Sequence, residues 1–325
     1  MVDRIPSGTR DFLPDEMREL RAMTDRMRAV FERAGYGEVY TPALEYEATF
    51  TRAHLDWGPP ARPAYRVFDE HGNVLVLRSD MTVPIARLVA TRYHDAEPPL
   101  RFCYFAHAYR GVRPQRGQSR EFLQAGIELI GAESPDGTVE VLTVLCDALG
   151  AAGLQTYRVG LGDAALYPAL LDRLNIQDQE RRERILTELA NGDFVGLQDE
   201  IGALGIDDED ARLLLEVPQA RGGPEVLQAL SDPLQHAVTG MRAVHTLLAP
   251  EVADRIIFDL GLVRGLGYYT GAVFQVYDPA HGVPIGIGGR YDELLGHFGR
   301  PLPAVGFSLN VERMHIALTS EERRK

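Results

Sequence analysis

Apolar residues recur at spacings of three and four over residues 14–34, at Met17, Leu20, Met23, Met27, Val30 and Phe31. That spacing predicts an amphipathic helix with one buried stripe, begun by Pro14-Asp15-Glu16 and ended by Gly35-Tyr36-Gly37. Val39-Tyr40-Thr41-Pro42 then predicts a short strand, whose proline suits an edge or an interface better than a central ladder. Residues 65–77 alternate around Asp69-Glu70-His71-Gly72-Asn73, as a β-hairpin does. Helical periodicity returns over 82–92 and 138–151, and between these stretches strands over 101–109 and 121–130 flank a polar loop. From 166 to 248 the pattern is helical almost throughout, broken at Pro218, Gly222-Gly223-Pro224 and Pro233. Strands follow at 255–260, 272–277 and 283–287, then a final strand and helix from Ala304. Strands, a helical block and strands again imply an α+β fold with one discontinuous antiparallel sheet. The expected division is 1–165 and 251–325 as two parts of one sheet domain, with 166–250 a helical subdomain inserted between them.

Bulk composition narrows the function classes. The 325 residues are 45% hydrophobic and 25% charged, ordinary values for a globular chain able to bury a large core. A formal charge of -13 disfavours a broad nucleic-acid surface, which needs clustered Lys and Arg. Cys103 and Cys146 lie far apart with no CxxC spacing, so neither a zinc site nor a disulfide framework is expected. No HxxxH or HExxH pair occurs, and no metal or cofactor is expected. No run of 18 apolar residues appears and Met1-Val2-Asp3-Arg4-Ile5-Pro6 lacks the apolar core of a signal peptide, so the expected location is the cytoplasm, with no membrane contact.

Three stretches carry candidate chemistry. Tyr109-Arg110-Gly111-Val112-Arg113-Pro114-Gln115-Arg116-Gly117 is an arginine-dense loop, and guanidinium forks match phosphate or carboxylate bidentately. On the strand after it, Gln124, Gly126 and Glu128 share one face, with the glycine leaving room between two polar side chains. That face can grip a small polar ligand, and it is equally what a solvated hairpin shows. Arg78-Ser79-Asp80-Met81-Thr82 precedes a helix, where Ser-Asp is first of all a cap. Gly160-Leu161-Gly162 lacks the third glycine of a dinucleotide fingerprint and is read as a strand end; Asp207-Asp208-Glu209-Asp210 is read as a solvated helix start.

Ser7-Gly8-Thr9-Arg10-Asp11, Arg264-Gly265-Leu266-Gly267-Tyr268-Tyr269, Gly288-Gly289-Arg290-Tyr291-Asp292 and the stretches 109–131 and 304–313 together resemble the histidyl-tRNA synthetases and, more closely, their paralogues, the regulatory subunits of ATP phosphoribosyltransferase. The opening Ser7-Gly8-Thr9-Arg10-Asp11-Phe12-Leu13-Pro14 is similar to theirs, and the helix leading to Tyr40-Thr41-Pro42 resembles motif 1 of class II synthetases, which builds a dimer interface. Residues 109–131 resemble motif 2, and Ala304-Val305-Gly306-Phe307-Ser308-Leu309-Asn310-Val311-Glu312-Arg313 resembles motif 3. Arg264-Gly265-Leu266 with Tyr268-Tyr269 resembles the histidine-specific signature, and Gly288-Gly289-Arg290-Tyr291-Asp292 belongs to the same core. The resemblance implies a class II synthetase-like fold and a histidine pocket of Asp80, Thr82, Gln124, Glu128, Arg264, Tyr268 and Tyr269. The acids would meet the positive groups of histidine, and Arg264 and the tyrosines its carboxylate end. It also implies anion-binding roles for Arg110 and Arg313.

The nucleotide side departs from the synthetase pattern. Val112 replaces a glutamate that takes the adenine amino group, Gln118 an arginine that reaches the distal phosphates, and Ser119 a tyrosine. Gly267 replaces an aspartate and Asn310 a glycine. Losing the phosphate contact and the base contact would each weaken nucleotide binding by roughly 1.5 to 3 kcal/mol. The sequence also stops a short way past Arg313, so no tRNA-reading domain is expected. The resemblance therefore implies a regulatory subunit with no catalytic residues of its own and no tRNA partner. Its expected partner is the short-form catalytic subunit of ATP phosphoribosyltransferase, with histidine as effector and a homodimer within a hetero-oligomer. The alternative is an amino-acid-activating ligase that works without tRNA, or a truncated histidyl-tRNA synthetase.

Overall fold

Helix α1 (Pro14–Arg33) buries Leu20, Met23, Met27, Val30 and Phe31 on the stripe the spacing predicts, while Met17 stays 39% exposed. The structure, a computed structural model, describes residues 5–53, 64–111, 119–228, 234–262 and 268–324. After α1 come β1 (Gly37–Glu38), β2 (Leu44–Tyr46), α2 (Glu47–Ala53), β3 (Arg66–Phe68), β4 (Val74–Leu77) and α3 (Thr82–Arg92). Then follow β5 (Leu100–Tyr109), β6 (Glu121–Ile130), α4 (Asp136–Ala152) and β7 (Arg158–Asp163). The helical stretch holds α5 (Leu166–Arg173), α6 (Gln179–Asn191), α7 (Phe194–Gly202), α8 (Asp208–Glu216), the short β8 (Arg221–Gly222) and α9 (Gln235–Leu247). Finally come α10 (Pro250–Ala253), β9 (Ile256–Asp259), β10 (Ala272–Tyr277), β11 (Gly286–Arg290), β12 (Ala304–Asn310) and α11 (Val311–Glu322).

Nine strands form one sheet in the order β1-β5-β6-β12-β11-β10-β7-β9-β8, and β2-β4-β3 form a separate small sheet. Period-two alternation sorts the central strands into two layers. Ala125, Ile127 and Leu129 of β6 join Val305 and Phe307 of β12 in the core under α1 and α4, where the Phe31 ring meets those of Phe105 and Phe307 at 5.7 and 5.9 Å. The opposite face presents Phe102, Tyr104 and Ala106 to a second core that includes α3. The residues between those of the first core, Gln124, Gly126 and Glu128, therefore lie on the α3 side.

The large sheet is mixed and not wholly antiparallel, because β1 pairs with β5 and β7 with β9 in parallel. Helical connections between those partners make the parallel pairings possible. Val39-Tyr40-Thr41-Pro42 is not a strand; it joins β1 to β2, and only the Val39 amide continues the pairing, to the Cys103 carbonyl at 2.9 Å. Pro42 offers no amide to a ladder. The strand expected at 283–287 lies three residues later, as β11, whose register on β10 is set by the pair Phe274–Gly288. Gly160-Leu161-Gly162 lies within β7 and runs to one residue before its end, and a side chain at Gly160 would strike Tyr277 and one at Gly162 the Asp259 carbonyl, each at 2.8 Å. Asp207 does begin a helix, accepting the Asp210 amide at 2.8 Å.

Candidate functional site

The segment between β4 and α3 is the first wall of the site. Asp80 Oδ1 accepts the Val83 amide at 3.1 Å, the capping bond that a Ser-Asp start offers, and its Oδ2 accepts the Ser79 hydroxyl at 3.2 Å. This fixes Thr82 so that its hydroxyl donates to Glu128 Oε1 at 2.8 Å. The other oxygen of Glu128 accepts the Tyr291 hydroxyl. Glu128 lies opposite Gly306 in the β6–β12 register, where a Cβ would stand 1.9 Å from Oε2. A glycine there lets the carboxylate lie across the neighbouring strand.

Glu128 is 1% exposed and meets only hydroxyls in these contacts. Burial pushes its pKa up to about 8, against the pull of the Tyr291 and Thr82 hydrogen bonds and with help from the charge of Asp80. Around it stand Tyr104, Tyr268 and Tyr291, whose hydroxyls burial keeps protonated. The Tyr268 ring packs edge-on against Tyr269 at 5.0 Å and Tyr291 at 5.7 Å. Gln124 is buried beside them and lines the same cavity, and its Oε1 lacks a hydrogen-bond partner. Gly126 leaves no room between Gln124 and Glu128 for a ligand, contrary to expectation: the Tyr104 hydroxyl fills that space, 2.4 Å from where a Cβ would sit, and donates to the Phe307 carbonyl.

Asp80, Thr82, Gln124, Tyr268 and Tyr269 line one small cavity of about 20 Å³, as do Tyr291 and Gly306, and Glu128 lies behind that lining, bonded to Thr82 and Tyr291. That is room for about one water, so an amino acid would enter only as the walls part. Arg264 lies outside the described residues, as do Val112, Gln118 and Gly267. Arg110, Gln124, Ile287 and Ser308 also line a neighbouring open cleft of about 940 Å³. Arg110 spans the two, its guanidinium over the Phe122 ring at 4.9 Å and its Nε donating to the Ser79 carbonyl. Arg313 lines only the cleft, where it donates to the Pro284 carbonyl at 2.7 Å. Asn310 caps α11 by accepting the Arg313 amide at 2.9 Å. Glu312 Oε1 accepts the Leu123 amide while its Oε2 is buried without a partner, and burial raises its pKa. Among the described residues, no three His, Cys, Asp or Glu side chains converge as a metal site would require.

Sequence reasoning did not single out Tyr291 and Tyr104 as site residues. Tyr291 was visible only inside Gly288-Gly289-Arg290-Tyr291-Asp292, and Tyr104 as one aromatic in an alternating strand. A buried acid among hydroxyls and a second, part-buried one, beside an unpaired amide oxygen, can hold a small cationic ligand bearing several hydrogen-bond donors.

The family model for histidyl-tRNA synthetase matches residues 8–314. The chain is 38% identical over 321 residues to the ATP phosphoribosyltransferase regulatory subunit of Desulforamulus reducens, covering 97% of this chain and 79% of that one. Similar values, 38% over 323 residues with 97% and 79% covered, relate it to the protein of the same name from Symbiobacterium thermophilum. Among solved structures, an ATP phosphoribosyltransferase regulatory subunit/histidyl-tRNA synthetase from Bacillus halodurans superposes with a TM-score of 0.88 at 33% identity, over 98% of this chain and 84% of that one. A histidine–tRNA ligase subunit from Alicyclobacillus acidocaldarius gives 0.82 at 34%, over 99% and 98%.

Proposed function

The chain belongs to the histidyl-tRNA synthetase family and, within it, to the ATP phosphoribosyltransferase regulatory subunits, and from that premise we propose how it acts. It serves as a regulatory subunit in histidine biosynthesis. Catalysis, the joining of ATP to phosphoribosyl pyrophosphate, belongs to a short-form catalytic partner, and this chain activates that partner and makes it sensitive to histidine. The observation that carries the effector reading is the buried Glu128 carboxyl, held by the hydroxyls of Thr82 and Tyr291 directly behind a cavity that those two residues line with Asp80, Gln124, Tyr268 and Tyr269. Histidine would place its positive groups against Glu128 and Asp80 and its carboxylate toward Arg264. No tRNA takes part.

Pairing of two copies through α1 and the residue 39–46 face is supported by the apolar groups left outside on and beside the small sheet, Tyr40, Leu44, Tyr46, Val67 and Phe68. The deciding experiment mixes this chain with a short-form catalytic subunit. Activity should rise on mixing, and added histidine should lower it; an unchanged rate with no co-purified complex refutes the regulatory reading. The wide cleft beside Arg110 and Arg313 favours one other reading, an amino-acid-activating ligase. Histidine-dependent exchange of pyrophosphate into ATP by the isolated chain would establish it; none is expected.

A further inference from the structure

Arg78 follows directly on β4 and precedes the site's first wall, and its side chain is 2% exposed. Its Nε donates to the His107 carbonyl at 2.8 Å, and its Nη1 to the Thr41 carbonyl and, at 3.4 Å, to the Thr41 hydroxyl. Its main chain is held at both ends: the amide donates to the Ala43 carbonyl, and the carbonyl accepts the Tyr109 amide, each at 2.9 Å. Glu45, whose charge reaches the guanidinium, is engaged by Arg87 in a two-pronged ion pair instead. Arg78 is thus a buried cation held on carbonyl oxygens. An apolar side chain of similar volume could fill this space without the desolvation cost. It could not tie the segment before β2, strand β5 and the pocket wall together at one point with directional bonds.

The contacts continue without a gap in both directions. Outward, the Tyr40 ring lies 5.8 Å from the guanidinium carbon and is 79% exposed. Inward, Ser79 bonds Asp80 and accepts from Arg110, Asp80 caps Val83, and Thr82 donates to Glu128. We infer that Arg78 is a positioning residue for the cavity: it holds residues 79–82 in register with Glu128 and ties that register, through the buried Thr41, to the outward-facing Tyr40, so that a change at Tyr40 is felt at the cavity wall. The inference deepens the reading of the cavity as an effector site and rests on it for function, so the experiment first reads the unliganded protein.

Amide hydrogen exchange over residues 79–85 is compared in wild type, Tyr40→Ala, Tyr40→Phe, Arg78→Lys and the Tyr40→Ala/Arg78→Lys double variant, with sedimentation keeping the oligomeric state matched. Tyr40→Ala should speed exchange there severalfold while residues 158–163 of β7 keep wild-type protection, and Tyr40→Phe should behave as wild type. Arg78→Lys should speed it at least as much, and the double variant no more than Arg78→Lys alone, since residues acting through one link are not additive. Calorimetry should then show histidine binding weakened severalfold in Tyr40→Ala and in Arg78→Lys. Wild-type exchange over 79–85 in Tyr40→Ala overturns the inference, and so does simple addition of the two effects. If Arg78→Lys does not fold, the Tyr40→Ala and Tyr40→Phe pair still decides. Failure of histidine to bind the wild type, with the exchange pattern as expected, refutes the effector reading and leaves the link from Tyr40 to the cavity standing.

Discussion

At the scale of single residues, the protonation of Glu128 governs what the site can do. The unfolded chain releases this proton near the ordinary glutamate value of 4.5, whereas the folded chain keeps it to about 8. Between those values the folded state binds more protons, so the stability this group contributes is complete below the lower value and is lost as pH rises to the upper one. Wild type should therefore lose more Tm between about pH 5 and 8 than Glu128→Gln, whose amide does not titrate. The same proton must leave when an ammonium or imidazolium group arrives. Histidine affinity should rise toward pH 8, and calorimetry at neutral pH in buffers of different ionisation heat should count about one proton released per histidine, and none in Glu128→Gln. Glu128→Ala, which removes one member of a buried charge-assisted contact, should weaken histidine by about 30- to 1000-fold, equivalent to roughly 2 to 4 kcal/mol. In the complex this should appear as weaker feedback with little change in the uninhibited rate, because an effector shifts an equilibrium only by its differential affinity. Wild-type feedback in Glu128→Ala would move the effector site elsewhere.

Among the elements, the junction of β12 and α11 illustrates how sequence departures acquire physical meaning. Asn310, where the synthetase pattern has glycine, caps α11 and ends β12, so Asn310→Ala should cost about 1 kcal/mol, seen as a shift of roughly 2 to 4 °C in thermal unfolding. Gly306→Ala should be far more harmful, because its Cβ meets the Glu128 carboxylate at 1.9 Å and the Ile127 carbonyl at 2.5 Å. Insoluble or pocket-deficient protein is the expected result. Periodicity alone located α1 and the long strands β5 and β6, and with them the polar face that carries Gln124 and Glu128. It missed Tyr291, because its bond to Glu128 joins residues 163 positions apart and leaves no local trace. It misread residues 39–42 for a related reason: an extended apolar-polar run looks alike whether it pairs in a ladder or turns away to lay Thr41 against Arg78. The parallel pairings of β1 and β7 were equally invisible, since direction is decided by where a partner strand ends up.

For the whole molecule, the expected assembly is a pair of copies joined across the α1 and 39–46 face. Light scattering at micromolar concentration should report a dimer, and Tyr40→Asp with Tyr46→Asp should yield monomers that still unfold cooperatively; a monomeric wild type counts against the pairing. A slower consequence follows from the strand order. β12 sits in the interior of the large sheet, between β6 and β11, yet it is the last of the described strands in the chain, and its first residue pairs with Ile130. A ribosome working at about 5–20 residues per second takes roughly 10–40 s to travel from the end of β6 to the end of β12. Throughout that interval β6 carries an open edge of unpaired amides and carbonyls, the kind of surface on which nascent chains associate with one another. Fragments that stop near residue 300 should pellet on centrifugation, whereas chains that include 304–322 remain in solution. The molecule's yield in a cell is then set by how well chaperones shield one strand edge until its partner has been made.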